Sequence, residues 1–275
     1  MATPKKTFEV HGHRGARAHL PENTLEGFRY ALEVGVDAIE IDVALTREKI
    51  PVVLHDRALN AALYRWKALK GLETIKQDPV QLIKDLPLSE IKRLDVGSIA
   101  NPDFPEQRLA PGAMVPTLEA FVKLMMADPA KPKLNIEIKT HPFSTAENHE
   151  PEDFAEAIIG LLESHKVPYE RVLLQSFDPA SLLAVKDRDP AWPASFLIDA
   201  WSDDVPDVAL ELGVEAVSPR HDLLTPERLV RLRAAGLGIY VWTANTEADW
   251  ERLATLGVDG IITDDPKACL AFRAR

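Results

Sequence analysis

At 275 residues, 46 % of them hydrophobic, the chain can bury a sizeable core and fits one large α/β barrel or two ordinary domains. A formal net charge of −11, with no basic run, argues against a nucleic-acid binder. The one cysteine, Cys269, rules out an intrachain disulfide. Residues 1–9 carry Lys5 and Lys6 with no apolar run behind them, and no stretch approaches the roughly 20 apolar residues of a membrane span. The expectation is a cytoplasmic protein without stable membrane insertion.

Residues 8–13 read as a first strand. Asn23 as N-cap, with Glu26 three residues on, opens a helix. Leu25, Phe28, Ala31 and Leu32 make its apolar stripe and Gly35 stops it. A second strand spans 38–43. About eight residues later, 51–55 reads as a strand too close for a parallel crossover, so an antiparallel hairpin is expected. Residues 57–115 break the rhythm: amphipathic stretches at 79–84 and 89–94 precede a Pro/Asn/Gly-rich tract at 97–112. Together they read as a small helical cap inserted over a barrel mouth. Beyond it, helices at 117–126, 151–165, 179–187, 226–235 and 247–256 are interspersed with strands at 134–139, 172–176, 194–198, 216–219, 238–242 and 260–263. Pro151, Pro179 and Pro226 take early helical positions. With the first two strands this makes eight β/α units, a single-domain (β/α)8 TIM barrel over residues 1–275. Its functional groups belong at the C-terminal strand ends. A doubly wound sheet is the alternative, but His13-Arg14-Gly15-Ala16 is not the Gly-rich turn it requires.

Alternation along the second strand points Glu40 and Asp42 one way and Ile39, Ile41 and Val43 the other. Asn135, Glu137 and Lys139 likewise share a face of the strand at 134–139. Three carboxylates (Glu40, Asp42, Glu137) converging at one mouth repel unless a cation neutralises them, and hard oxygen donors suit Mg²⁺ or Ca²⁺ rather than zinc. Arg14 and Lys139 beside them make an anion-binding side, which fits a phosphate ester. His13 and His55 then supply proton transfer near neutral pH.

The ordered motifs His13-Arg14-Gly15-Ala16, Pro21-Glu22-Asn23-Thr24, Glu40-Ile41-Asp42-Val43 with Thr46, and Pro51-Val52-Val53-Leu54-His55-Asp56 resemble the glycerophosphodiester phosphodiesterase family. The resemblance continues through Pro116-Thr117-Leu118-Glu119, Ile136-Glu137-Ile138-Lys139, Gln175-Ser176-Phe177, Val241-Trp242-Thr243-Ala244-Asn245 and Asp259-Gly260-Ile261-Ile262-Thr263-Asp264. It implies a phosphodiesterase TIM barrel with an inserted subdomain. His13 and His55 would be the acid/base pair, Glu40, Asp42 and Glu137 the ligands of one divalent metal, and Arg14 and Lys139 the phosphate holders. Phe177 and Trp242 would wall a glycerol pocket. The implied reaction splits a small-molecule glycerophosphodiester into sn-glycerol 3-phosphate and an alcohol. The stretch from Arg57 to Arg65 departs from the family's usual pattern, which leaves the headgroup open and brings Arg65 forward as a candidate.

A lysophospholipase D-like activity is the rival reading and asks for an apolar rim on the cap. An inactive phosphate-ester-binding barrel is the non-enzymatic one. His11, His19, His141, His149, His165 and His221 read as structural, and Asp203, Asp204, Asp264 and Asp265 as turn and helix-cap residues. Surface composition gives no interface signal, so the oligomeric state stays open.

Overall fold

A computed structural model describes residues 7–68, 71–76, 78–140 and 145–275. In chain order its elements begin β1 (Glu9–Gly12), α1 (Leu25–Val34), β2 (Ala38–Leu45) and β3 (Pro51–Val53). The insertion follows with β4 (Arg65–Ala68), β5 (Gly71–Thr74), α2 (Leu88–Ile91) and β6 (Leu94–Asp95). Then come α3 (Leu118–Ala127), β7 (Lys133–Ile138), α4 (Pro151–Ser164), β8 (Val172–Ser176), α5 (Pro179–Arg188), β9 (Ala194–Ile198), α6 (Val205–Glu211) and β10 (Ala216–Pro219). The chain ends with α7 (Pro226–Ala234), β11 (Gly238–Val241), α8 (Glu247–Leu256), β12 (Gly260–Thr263) and α9 (Pro266–Arg273).

Eight of these strands form a closed parallel barrel in the order β1-β2-β7-β8-β9-β10-β11-β12, with β12 pairing back onto β1. They are the eight expected from the sequence. β3 returns antiparallel to β2, pairing Val43 with Val53, as the short spacing requires. Outward residues of β2 and β7 (Ile39, Ile41, Val43, Ile136) pack under Phe28, Phe121 and Phe154 of the surrounding helices. The opposite half of the barrel buries Val217, Ile239, Val241 and Ile261 against Trp250 and Phe272. The barrel interior is polar instead: His11, Asn135 and Gln175 lie inside it, and the Ser195 and Ser218 hydroxyls bond each other at 2.7 Å.

Local chemistry explains the helix ends. Thr117, Asp178, Thr225, Thr246 and Asp265 each cap a helix through a side-chain oxygen. The first helix differs from expectation by one residue: Thr24, not Asn23, is its N-cap and accepts from the Gly27 amide at 3.1 Å. Asn23 sits just before it at φ 54. Two helices, α6 and α9, were not expected. α6 runs for seven residues with no side-chain cap, too few turns to set a period, and α9 for eight. Among the described residues no helix is long and apolar enough to cross a membrane.

Residues 57–115 are not the helical cap the sequence suggests. They carry a three-stranded antiparallel sheet, β5-β4-β6, beside a 3-10 turn at Ile83–Asp85 and the single turn of α2. Strand signal is absent because β4 is half-buried on both faces and β5 is exposed throughout, so no alternation is written into them. The insertion has its own core of Leu59, Tyr64, Ile75, Ile83, Ile91 and Leu94, seated on Ala44, Val52 and Leu54 of the β2–β3 hairpin.

Candidate active site

Glu40, Asp42 and Glu137 lie along β2 and β7, and His13, Arg14, His55, Lys139, Phe177 and Trp242 lie just beyond the C-terminal ends of barrel strands or of the hairpin. Register brings the acids together, because β2 and β7 pair Asp42 with Glu137 and Glu40 with Asn135. His13, Arg14, Glu40, His55, Glu137, Lys139, Phe177 and Trp242 all line one chamber of about 200 Å³. Asp42 is fully buried behind it, and Glu40, Asp42 and Glu137 offer carboxylate oxygens all within 4.8 Å of one another.

The turn after β1 is tightly built. A side chain on Gly12 would place its Cβ 2.0 Å from the Gly15 carbonyl oxygen, so this position accepts glycine alone. Arg14 follows at φ 49, its amide donating to Glu40 Oε2 at 2.9 Å. Its guanidinium reaches Glu22 Oε1 at 2.7 Å and Asp42 Oδ2 at 3.2 Å. Asn23, also in the left-handed region, donates from Nδ2 to Asp42 Oδ2 at 2.8 Å.

Both histidines are oriented by aspartates. His13 Nδ1 lies 2.6 Å from Asp264 Oδ1, and His55 Nδ1 lies 2.7 Å from Asp56 Oδ1. An ionised carboxylate only accepts, so each ring carries its proton on Nδ1. Asp264 is held at about 2: burial opposes ionisation, but the His13 charge and hydrogen bond and the Arg17 guanidinium outweigh it. Asp56 is also held low, burial being overcome by His55 and by Asn60, which donates to Oδ2 at 2.9 Å. Burial pushes His13 below its ordinary value, while Asp264 pulls it back.

The acids behave as a cluster. Burial, then the charges of Asp42 and Glu137, push Glu40 well above the carboxylate range. Glu137 is raised by burial against the opposing charge of Lys139, whose Nζ lies 2.6 Å from Glu137 Oε1. Asp42 goes the other way: burial is outweighed by Arg14, His55 and Lys139 and by the Asn23 hydrogen bond. Its buried Oδ1 accepts no hydrogen bond, although Lys139 Nζ is 3.5 Å away. An orphaned buried carboxylate oxygen among three converging acids fits a hard divalent cation bound through oxygen.

Several residues at the site were missed. Asp264 was read as a turn residue, yet β12 adjoins β1 in a closed barrel, so the residue after β12 faces the residue after β1. The strand-end logic that selects His13 selects Asp264 as well. Arg17, which lines the chamber and ion-pairs with Asp264 Oδ1 at 2.7 Å, lies in a loop with no pattern to mark it. Gln175 lines the chamber too, with Nε2 3.5 Å from Glu40 Oε1. Arg65 turns away: its guanidinium donates to the carbonyls of Ala61 and Tyr64 in its own loop. The remaining histidines have structural partners. His11 meets Glu9 and Asn135, His19 meets Asp265, His149 meets the Thr46 carbonyl, His165 meets Glu119 and His221 meets Asp249. His141 lies outside the described residues.

An eight-stranded barrel with acids, bases and paired histidines at its C-terminal mouth defines the class as a TIM-barrel enzyme. Residues 13–268 match the Glycerophosphoryl diester phosphodiesterase family. The glycerophosphodiester phosphodiesterase of Caldanaerobacter subterraneus subsp. tengcongensis is 30 % identical over 96 % of this chain and 97 % of its own. That of Bacillus subtilis is 31 % identical over 97 % and 86 %. A crystal structure of a candidate glycerophosphoryl diester phosphodiesterase from Silicibacter pomeroyi superposes with TM-score 0.90 at 30 % identity, covering 99 % of this chain and 94 % of that one. A phosphodiesterase from Oleispira antarctica, solved with sn-glycerol-3-phosphate, shares the fold at TM-score 0.80 and 24 % identity over 97 % of both chains. The chain belongs to the glycerophosphoryl diester phosphodiesterase family, and its enzymatic class is phosphoric diester hydrolase.

Proposed function

We propose that the chain hydrolyses glycerophosphodiesters to sn-glycerol 3-phosphate and an alcohol, with His13 and His55 moving the protons. The observation that carries this reading is the pair of aspartate–histidine couples facing one chamber, Asp264 on His13 and Asp56 on His55. With each Nδ1 committed to a carboxylate, each Nε2 is left to exchange a proton with the substrate. One ring takes the proton of the attacking oxygen and the other protonates the leaving alcohol. Asp264 and Asp56 stabilise whichever ring is transiently charged. Arg14 and Lys139 hold the non-bridging phosphate oxygens, with Glu22 fixing the Arg14 guanidinium. Phe177 and Trp242, edge-to-face at 5.3 Å, wall the glycerol. The start of the insertion, Arg57 to Asn60, borders a groove that shares His55 and Lys139 with the chamber.

Glu40, Asp42 and Glu137 would hold one Mg²⁺ or Ca²⁺, supplying electrophilic stabilisation of the phosphoryl oxygens when bound. The test is sn-glycerol 3-phosphate release from glycerophosphocholine and glycerophosphoethanolamine, with and without EDTA. Activity should vanish with EDTA, return with Mg²⁺ or Ca²⁺, and fall about a thousandfold in His13→Ala. Full turnover in metal-free buffer, or in His13→Ala, would overturn the mechanism.

A further inference from the structure

The end of the barrel remote from the chamber is hollow too. A cavity of about 180 Å³ lies among the N-terminal strand ends, where Glu9 opens β1, Lys133 opens β7 and Gly238 opens β11. Barrels of this kind are filled by layers of bulky branched side chains. Here the paired residues Ala216 and Gly238 of β10 and β11 line the space instead. A Cβ on Gly238 would find its nearest neighbour, Ala216 Cβ, at an ordinary 3.4 Å, so larger residues are not excluded by the backbone. The wall carries a polar group without a partner. Asn135 is wholly buried, and its Nδ2 lies 3.3 Å from His11 Nδ1 while Oδ1 accepts no hydrogen bond. Such an acceptor is costly until a donor reaches it. Tyr240, half-buried, walls the same space with its ring. At the rim Glu9 is bonded to Lys133 at 2.6 Å and Glu215 to Lys186 at 2.7 Å, and Glu170 stands exposed as a third acid.

We propose that this cavity binds a small primary ammonium compound, its N–H donating to Asn135 Oδ1 and its charge facing Glu170 and the Tyr240 ring. An anion would meet three carboxylates there, and an apolar molecule would leave Asn135 Oδ1 unpaired. A cation that carries N–H donors answers the acceptor, the ring and the acids together. At about 180 Å³ the cavity falls below the roughly 300–1,000 Å³ of pockets for drug-sized molecules, so the ligand has a handful of heavy atoms. Its short carbon chain would lie against Leu173 and Pro193. No described residue lines both this cavity and the chamber, so the inference stands apart from the proposed reaction.

Calorimetric titration of the metal-loaded enzyme near neutral pH tests this, with n-butylammonium as the probe and 1-pentanol as its uncharged counterpart. Butylammonium should bind one site with a Kd of about 1 mM or tighter, and pentanol about tenfold more weakly or worse. Two variants locate the site. Gly238→Leu fills the cavity from its wall and should weaken butylammonium about tenfold or more. Glu170→Gln changes an exposed rim residue, leaves the barrel core untouched and should weaken it about threefold or more. Absence of saturable binding up to about 20 mM leaves water as the only occupant and overturns the proposal. Equal affinity for pentanol overturns the ammonium class. Affinity unchanged in Glu170→Gln, or in Gly238→Leu that has folded, places the probe elsewhere and overturns it equally. Should Gly238→Leu fail to fold, Glu170→Gln decides alone.

Discussion

Asp264 uses both of its oxygens. Oδ1 accepts from His13 Nδ1 and pairs with the Arg17 guanidinium, and Oδ2 accepts from Asn245 Nδ2 at 2.6 Å. Asp264→Asn keeps the shape but can present a donor to His13 Nδ1 and favour the wrong tautomer. We expect kcat to fall about a hundredfold or more with KM little changed. An unaltered kcat would remove Asp264 from the proton path. The proposed exchange of protons by His13 and His55 in one cycle requires a bell-shaped pH–rate profile, and a flat profile from about pH 5 to 9 would dismiss the paired roles. His13, Glu40 and Asp42 were legible in the sequence because strand alternation and strand ends dictate where they point. Asn23 was misread because Asn before a helix signals a cap equally well. What distinguishes it is a backbone in the left-handed region and a partner 19 positions away, and neither is written locally.

The insertion shows how an element can matter to a site through its neighbours. Gln107 Nε2 donates to the carbonyls of Arg17 and Leu20 at 2.5 and 3.1 Å, and the Arg108 amide donates to the His19 carbonyl at 2.9 Å. The Arg17 guanidinium lies 4.9 Å from the centroid of the Phe104 ring. This tract therefore clamps the loop that carries both chamber arginines. Gln107→Ala should cost about 1–2 kcal/mol of stability and lower kcat/KM severalfold. Unchanged kcat/KM with the stability loss present would show that the clamp does not reach the site. The clamp was illegible because it joins two irregular segments, where no period marks which side chains face inward. The eight barrel strands were legible for the opposite reason, since apolar runs bounded by turn residues recur at near-regular intervals.

At the scale of the whole molecule, one buried and one half-buried group report on the fold. Cys269 is fully buried and burial pushes its thiol up to about 12, so iodoacetamide at pH 8 should label it only as fast as the barrel opens. Rapid labelling of native protein would contradict that packing. At the opposite end of the barrel from the chamber, Glu9 sits between His11 at 3.1 Å and Lys133 at 2.6 Å. Burial would raise its carboxyl, but these two partners bring it from 4.5 down to about 2. A depressed acid favours folding above its unfolded value, and that contribution is lost as pH falls from 4.5 toward 2. Wild type should therefore lose about 2 kcal/mol more than Glu9→Gln across that window, measured by urea titration. Equal losses would place the acid sensitivity elsewhere.

His13 and Asp264 are 251 positions apart and meet because the last barrel strand lies beside the first. During synthesis, β12 must therefore clear the ribosome before the proposed Asp264–His13 couple can exist. A nascent or truncated chain lacking that strand would leave its substrate intact, however well its earlier units fold. A circular permutant that keeps β12 against β1 while opening the chain at a helical loop on the far side should retain activity. Turnover by this enzyme thus certifies a closed ring.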